Sequence, residues 1–328
     1  MSTSGSYNFS ITAADLIKGV FEDLGSIVPG GTVPSAHSTM ALNRLNQIAK
    51  QWQGTADMAN GLKVYSRQRV TMLMAAGQQT YTIGPASTDA RASTQVGRTT
   101  ISANEASGQT VLSITSNTDT TSYPGTTITM TASDIIGIEQ NDGTIHWSTI
   151  SGTPSTTATI AVALTAAADA GRYVWWFTSR AQRFPVIESA RLRTSDRTDS
   201  PLEIYRTAQE YDDGVSDKYA DGDPIGILVE PLTLSTRITL DSQPTSSTIQ
   251  KTIELTVLYP AEDYDATTDD IAFPQEGYRA LHWELMLSLS PSGGKDWTKV
   301  MWKNYENATG IFRQLNTEVS DAYFQCGG

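Results

Sequence analysis

Helix-type patterns stand at both ends of this chain, and the residues between them have the composition of strands and turns. Apolar residues recur at helical spacing over residues 12–25 and 35–54, and again over 273–291 and 294–324. Between these segments, β-branched and aromatic residues alternate with Gly, Asp and Asn at turn positions. We therefore expect the two ends of the chain to come together as one helical domain from which a β region extends.

This arrangement predicts a fold class and three structural parts. The expected class is α+β, with a helical bundle built from both termini and a central antiparallel β domain that carries a small all-β insertion. The bundle would comprise residues 1–64 and 272–328. The β domain would comprise residues 65–91 and 177–271, and the inserted all-β module would comprise residues 92–176.

Short local patterns predict individual turns and helix ends. Thr12 is expected to cap the first helix, with Asp15 in the reciprocal position of a capping box. The pair Asp142–Gly143 predicts a tight turn between two strands of the inserted module. Residues 65–85 hold two strand-like runs on either side of AAGQQ, which predicts a β-hairpin.

Charge balance and cysteine content limit the classes of protein. The formal net charge is -12, from 23 basic and 35 acidic residues, which argues against a surface that grips nucleic acid because phosphate binding relies on clustered Lys and Arg. The one cysteine, Cys326, cannot form a disulfide within the chain, which favours folding in a reducing compartment. No segment has the apolar length of a membrane span or the pattern of a signal peptide, so we expect a soluble protein folded in the cytosol.

Residue types that perform catalysis or hold metals are present without the spacing that such sites need. His37, His146 and His282 lie in three different predicted elements and share no metal-ligand spacing. The acidic segment 210–223 lacks the alternation and the closing Glu of a calcium loop, and it has the composition of a solvated, turn-rich loop. We therefore expect no enzymatic activity, no cofactor and no metal site.

A series of segments occurs in an order that one protein family also has. The chain opens with ITAADLIKGVFEDLG and ALNRLNQIAKQWQG, continues with VTMLMAAGQQTYTIGP, and returns from the insertion with RFPVIESARLR. DSPLEIYRTAQEY follows, and the last and longest segment is LTVLYPAEDYDATTDDIAFPQEGYRALHWELMLSLSP. In this order the segments resemble the head-to-tail adaptor proteins of tailed, especially short-tailed, bacteriophages, which complete the head and stabilise its packaged DNA.

The last segment carries the most specific likeness. The family has a strand, a P.ED.D loop and a helix that begins FPQEWYRAL, and this chain has PAEDYD followed by FPQEGYRAL. The chain departs from the family at Gly277, where an aromatic residue is usual, and again at LSLSPSGG after the helix.

The resemblance implies a structural role in the virion. Adaptors of this family form a twelvefold ring beneath the portal protein, join it to a tail nozzle or tail-tube protein, and extend the channel for double-stranded DNA. By resemblance we expect a homo-oligomeric ring at the head–tail junction, made in the host cytoplasm and contacting no membrane. An acidic channel wall would let DNA pass without specific binding, because it repels the phosphate backbone.

The resemblance also implies two sets of contact residues. Family members dock by the last helix and the residues after it, so the residues expected to contact the portal are Tyr323, Phe324 and Gln325. The helix after Pro274 is expected to pack through one face and to leave other side chains for a neighbouring subunit. The residues expected to make these bundle-packing or inter-subunit contacts are Tyr278, Arg279, Leu281, Glu284 and Trp302.

Two other classes of protein remain open. A receptor- or carbohydrate-binding tail protein, or a capsid decoration protein, is favoured by the Ser/Thr-rich β module with Trp147, Trp175 and Trp176, whose rings could stack on sugars. An enzyme such as a cell-wall hydrolase would need two carboxylates across a cleft, which any acidic chain can supply.

Overall fold

The structure is a computed structural model, and the residues that it describes are 9–54, 67–85, 91–123, 125–291 and 296–315. The chain divides into two compact units, each described by itself here. The terminal unit joins Met1–Arg67 to Pro260–Gly328, and the central unit is Gln68–Tyr259.

Five α-helices lie in the described residues, four in the terminal unit and one in the central unit. They are α1 (Ala13–Asp23), α2 (Ser35–Gly54), α3 (Ala208–Gly214), α4 (Tyr278–Leu289) and α5 (Lys299–Leu315). The predicted capping box of α1 is confirmed, because Thr12 and Asp15 each bond the other's backbone N–H through their side chains. α5 runs through Gly310 without a break.

The core of the terminal unit combines helices with a non-helical segment. The buried helical side chains include Leu16, Ile17, Val20, Leu45, Ile48, Leu281, Leu285 and Leu289. Tyr264, Ile271 and Phe273, from the segment before α4, belong to the same core. The helices therefore do not enclose this core by themselves.

The described strands form one large sheet and several small ones. In chain order they are β1 (Arg67–Leu73), β2 (Thr80–Ile83), β3 (Ala92–Ser93), β4 (Gly97–Thr100), β5 (Val111–Ser113), β6 (Thr118–Asp119), β7 (Ile128–Thr129), β8 (Ile135–Glu139), β9 (Ile145–Thr149), β10 (Thr157–Thr159), β11 (Tyr173–Phe177), β12 (Val186–Arg193), β13 (Asp199–Tyr205), β14 (Gly226–Pro231), β15 (Thr236–Leu240) and β16 (Thr252–Leu258).

The central unit is built on an eight-stranded sheet with the spatial order β2-β15-β14-β13-β12-β16-β1-β3. β13 and β14 pair in parallel, with α3 in the crossover that joins them. β12 pairs antiparallel with both β13 and β16, and β15 pairs antiparallel with both β14 and β2. One face carries a continuous apolar core that includes Val70, Ile227, Ile238, Ile253 and Leu255.

The large sheet curls because two strands joined by a short link lie far apart in its spatial order. β1 is seventh and β2 is first, yet only residues 74–79 connect them. Such a link spans no more than about 25 Å, so the first strand must return towards the seventh, and the sheet is nearly closed. The predicted hairpin of residues 65–85 is wrong, because β1 pairs with β16 and β3 while β2 pairs with β15. Tyr81 and Ile83 of β2 instead join the core of the sheet.

The segment between β3 and β12 has its own core. β4, β11, β8 and β9 form a four-stranded antiparallel sheet, accompanied by the pairs β5–β10 and β6–β7. Its core residues include Ile101, Ile136, Val174 and Trp176. The predicted turn at Asp142–Gly143 joins β8 to β9 and is confirmed, with Gly143 at a φ of 82°. The N–H of Ala181 donates to the C=O of Ala92 at 2.8 Å, so the two ends of the segment are held together.

The predicted fold class is wrong. The protein is mostly β, with 25% of it helical, and its largest element is the nearly closed eight-stranded sheet. The end segments do not form a helical bundle by themselves, because side chains from the non-helical segment before α4 complete the core that the helices share. The sheet is also not purely antiparallel, since β13 and β14 run in the same direction.

Candidate functional site

Segments that are far apart in the sequence meet within the terminal unit. Asn46, from the LN…W part of α2, bonds both backbone groups of Tyr264 in the AEDYD loop. Its Nδ2 donates to the Tyr264 C=O at 2.9 Å, and its Oδ1 accepts from the Tyr264 N–H at 2.8 Å. One turn further on, the Lys50 ammonium donates to the Ala261 C=O and lies 2.8 Å from the Asp263 carboxylate. Two turns of α2 thus hold a loop that is 218 residues away in sequence.

The first turn of α1 is bonded to the continuation of the same loop. The N–H of Ala13 donates to the C=O of Asp269 at 2.9 Å, and the N–H of Ala14 donates to the C=O of Thr267 at 2.7 Å. The first N–H groups of a helix have no partner inside the helix, so the loop satisfies donors that would otherwise need water. The Asp269 carboxylate fixes the loop itself by accepting from the N–H of Asp265 at 2.9 Å.

Three aromatic rings join α2, α5 and the segment before α4. Trp52 lies edge-on to Phe273, with 5.8 Å between ring centroids, and stacks on Phe312 at 5.2 Å. Phe312 also packs on Gly277, where an added β-carbon would lie 2.8 Å from the Cε2 atom of the ring. The missing side chain at 277 therefore makes room for an aromatic ring that comes from α5.

The packing and contact residues expected in α4 divide between core and surface. Tyr278 and Leu281 are buried in the core of the terminal unit, whereas Arg279 is exposed. Glu284 has a partner within its own chain, because its carboxylate accepts from the Tyr305 hydroxyl at 2.8 Å. Burial together with this bond raises the pKa of Tyr305 to about 12.

Trp302 belongs to a row of aromatic side chains that the sequence analysis did not identify. Successive ring planes meet at 88° for Trp283–Trp297, 74° for Trp297–Trp302 and 87° for Trp302–Tyr305. Edge-to-face contact is a favoured geometry of aromatic pairs, and Trp302 still has 45% of its surface exposed. Trp302 and Tyr305 are one helical turn apart in the sequence, but the other two rings lie outside α5 and could not be assigned to the row from spacing.

The remaining candidates from the sequence do not assemble into a site. His282 Nε2 lies 2.8 Å from the Asp23 carboxylate, and the ring of His37 stacks on that of Phe21. His146 bonds a backbone carbonyl in the central unit, and the acidic segment 210–223 includes part of α3. Within the described ranges, no three His, Cys, Asp or Glu side chains are grouped so that they could hold a metal ion. The expected portal-contact residues, Tyr323, Phe324 and Gln325, lie outside the described residues.

The central unit has a cluster of buried and half-buried polar groups on the face of the large sheet opposite its core. There the inserted segment contacts the sheet through Leu73 of β1, which packs with Val96, Trp175 and Phe177. All four side chains are buried. This apolar contact excludes water from one side of the polar groups beside it.

A chain of hydrogen bonds crosses from the inserted segment to the sheet beside this contact. The N–H of Val96 donates to the Tyr123 hydroxyl at 3.3 Å, which lies 2.8 Å from the Thr71 hydroxyl. Thr71 Oγ1 is 3.0 Å from each carboxylate oxygen of Glu254. An ionised carboxylate only accepts hydrogen bonds, so with Glu254 ionised the Thr71 hydroxyl donates a hydrogen bond to Glu254 and accepts one from the Tyr123 hydroxyl.

Two carboxylates share one guanidinium at the end of this chain of bonds. Arg193 donates to both oxygens of Asp199, at 2.7 and 2.9 Å, and its NH1 lies 3.6 Å from Glu254. Burial raises the pKa of Glu254, and this effect outweighs the opposing effects of Arg193 and of the bond from Thr71. For the less buried Asp199, the bonds from Arg193 lower the pKa of the carboxyl group.

These groups line a cavity of about 40 Å³, which we call the junction cavity. Its lining includes Thr71, Tyr123, Glu254 and three arginines, Arg98, Arg193 and Arg197. Trp175 forms part of the apolar side of the wall.

Comparisons of the chain with protein-family models, with curated proteins and with solved structures found no match. In the part of the chain that the structure describes, no helix is both long enough and apolar enough to cross a membrane.

Replacing Gly277 by Ala should lower the free energy of unfolding of the terminal unit by about 1–3 kcal/mol, because the new β-carbon displaces the Phe312 ring. The backbone at Gly277 has a φ of -82°, which Ala adopts without strain, so the loss is steric. Urea denaturation followed by far-ultraviolet circular dichroism measures it, because four of the five described helices lie in this unit.

Gly310→Ala is the matched control for this substitution. Apart from its chain neighbours and the backbone of α5 itself, no described atom lies within 4 Å of a β-carbon added at Gly310, so this change should raise the free energy of unfolding by up to about 1 kcal/mol. In a Phe312→Ala background, Gly277→Ala should cost nothing further. An equal cost in both backgrounds would contradict the steric explanation.

The opposite pKa shifts of Glu254 and Asp199 predict opposite pH dependences of stability. The raised pKa of Glu254 means that its favourable contribution is complete below its ordinary pKa of 4.5 and is lost as pH rises through the folded value. The lowered pKa of Asp199 means that its contribution is present above 3.8 and is lost as pH falls. Glu254→Gln should therefore gain stability relative to the parent protein as pH rises, and Asp199→Asn as pH falls. Denaturation curves of both variants between acidic and neutral pH test this, and parallel pH profiles would contradict it.

Proposed function

We propose that the protein is a structural part of a tailed bacteriophage particle, a head-to-tail adaptor that joins the portal to the tail. In this role it forms a ring at the head–tail junction, with twelve subunits by resemblance to the adaptor family, and it performs no catalysis. The tail nozzle or tail-tube protein contacts the far side of the ring. Double-stranded DNA passes through the central channel.

The observation that carries this proposal is the convergence of the family-like segments. Asn46 of the LN…W segment bonds the backbone of Tyr264 in the AEDYD loop, and Trp52 of the same segment contacts Phe273 of FPQEGYRAL. A chance likeness in short segments separated by about two hundred residues gives no reason for their characteristic side chains to touch. Their mutual contacts support the view that the segments are parts of one structural unit.

The exposed end of the aromatic row supplies a surface suited to contact between subunits. Trp302 is held by Trp297 and Tyr305, so it loses little conformational freedom when a partner covers it. Trp is enriched among the residues that dominate protein–protein interfaces. We therefore assign Trp302 and the exposed Arg279 to the contact with a neighbouring subunit, and residues Tyr323–Gln325, outside the described residues, to the portal.

Charge also fits passage of DNA through the ring. The chain has a formal net charge of -12, and an acidic wall repels the phosphate backbone, so that DNA moves without binding. The carbohydrate-binding alternative loses part of its support, because Trp175 and Trp176 are 1% and 0% exposed and cannot stack on a sugar at the surface.

Electron microscopy of the purified protein, mixed with the portal protein encoded in the same genome, tests the proposal. We expect rings of the protein that share the twelvefold axis of the portal. Trp302→Ala should weaken association between subunits by about 2 kcal/mol per contact, or about thirtyfold, as for a central interface aromatic.

Trp302→Phe is the control, since it keeps a ring in the same row, and it should still assemble. Both variants should retain most of the melting temperature of the parent protein, because Trp302 is already partly exposed. Fibres, a symmetry different from that of the portal, or no binding to it would contradict the adaptor role. Unchanged assembly of Trp302→Ala would remove Trp302 from the interface.

A further inference from the structure

The junction cavity brings together positive groups in an acidic chain. Three of its lining residues are the arginines Arg98, Arg193 and Arg197, against one carboxylate, Glu254. The arginines come from separate elements: β4, the end of β12, and the turn between β12 and β13. A water-excluding wall of Trp175 and Val96 completes the site.

The three guanidinium groups differ in how they are paired. Arg193 is occupied by the carboxylates of Asp199 and Glu254. Arg98 donates from NH2 to the C=O of Ser195 at 3.2 Å and lies over the ring of Tyr173, without an ion pair to any described residue. Arg197 makes no side-chain hydrogen bond or ion pair with any residue that the structure describes. Arg98 and Arg197 thus line one cavity, and neither guanidinium forms an ion pair with a residue that the structure describes.

Arg197 also occupies a backbone conformation that its side chain makes unfavourable. Its φ is 70°, in the left-handed region where a β-carbon is disfavoured and where glycine is the ordinary residue. Its N–H closes the turn by donating to the C=O of Thr194 at 3.0 Å, which a glycine would do equally well. The turn therefore gives no structural reason for an arginine, whereas the cavity beside it gives a chemical one.

We infer that the junction cavity binds a carboxylate group through the guanidinium groups of Arg98 and Arg197. The cavity, of about 40 Å³, has room for roughly three water molecules, which is enough for a group as small as a carboxylate. Guanidinium presents paired N–H donors whose spacing matches the two oxygens of this group. This inference does not depend on the adaptor role. It uses residues of the central unit, whereas the contacts that support the adaptor role lie in the terminal unit.

Titration with sodium formate at constant ionic strength, with chloride as the balancing anion, tests the site on the full-length protein. The Nε–Hε signals of the arginines are followed by nuclear magnetic resonance. We expect saturable shifts of the Arg98 and Arg197 signals, and a rise in melting temperature with formate that chloride does not give.

Arg197→Gly separates binding from stability. Without formate, this variant should melt at a higher temperature than the parent protein, because the backbone strain is relieved. It should need at least about tenfold more formate for the same response, which is the loss expected for one charge-assisted hydrogen bond. Ser133→Gly is the matched control. Ser133 is also exposed with a φ of 72° and lies outside the cavity lining, so this variant should gain stability and keep the full formate response.

Sedimentation velocity, which measures the association state, distinguishes two sources of the natural carboxylate: a side chain of a second copy and a free small molecule. If an acidic side chain of a second copy occupies the cavity, saturating formate should dissociate assemblies of the parent protein. If a free carboxylate is the ligand, formate should leave the association state unchanged. The inference is overturned if formate gives no saturable response, if chloride reproduces it, or if Arg197→Gly responds like the parent protein.

Discussion

The double hydrogen bond between the Asn46 amide and the backbone of Tyr264 is the contact on which the terminal unit depends. It joins α2 to a loop 218 residues later, so it closes the chain around the whole central unit. Closing so long a segment carries an entropy cost, although this cost rises only slowly with length. The amide of Asn46 can meet both groups of one peptide residue because it carries a donor and an acceptor side by side. The position of this loop then determines where Phe273 and α4 lie.

Buried carboxylates have a comparable role inside the central unit. Glu139, only 1% exposed, accepts from Arg172 at 2.7 Å and from Gln250 at 2.8 Å, and Gln250 lies just before β16 of the large sheet. Glu139 belongs to the inserted segment, whereas Glu254 belongs to β16 of the large sheet. Glu254 is linked back to the inserted segment through Thr71, whose hydroxyl lies beside that of Tyr123. Breaking such a buried polar contact costs more than making it contributes, since the remaining partner is left without water. The inserted segment is therefore fixed in one orientation on the sheet by polar pairs as well as by Leu73 and its neighbours.

Local signals in the sequence predicted local structure. The capping box of Thr12 and the turn at Asp142–Gly143 are present because each depends on residues only a few positions apart. The hairpin of residues 65–85 failed because β1 and β2 find better partners far away in sequence, and strand patterns alone do not specify a partner. The fold class failed for a related reason. Helical periodicity at both ends of the chain does not reveal how strands from distant segments join one large sheet, and the burial of Tyr264 in the core of the terminal unit has no periodic signature.

The candidate sites show the same limit. Burial of Tyr278 and Leu281 on one side of α4 follows from their spacing, whereas the partner of Glu284, Tyr305, lies in another helix and could not be read from the sequence. The junction cavity was not predicted either, because its arginines come from three elements brought together by the curled sheet. No turn was predicted at Arg197, and a charged residue in an exposed turn is in any case an ordinary place for arginine.

Native-state hydrogen exchange at the Tyr264 amide tests most directly whether the two ends of the chain form one cooperative unit. This N–H donates to a side chain, the Oδ1 of Asn46, and not to a regular helix or strand. If the terminal unit opens as a whole, the Tyr264 amide should be as protected as the buried amides of α2, since amides of one cooperative unit exchange through the same opening. In Asn46→Ala it should exchange at least about tenfold faster. Exchange of Tyr264 at the rate of an exposed loop in the parent protein, with α2 still protected, would contradict the account.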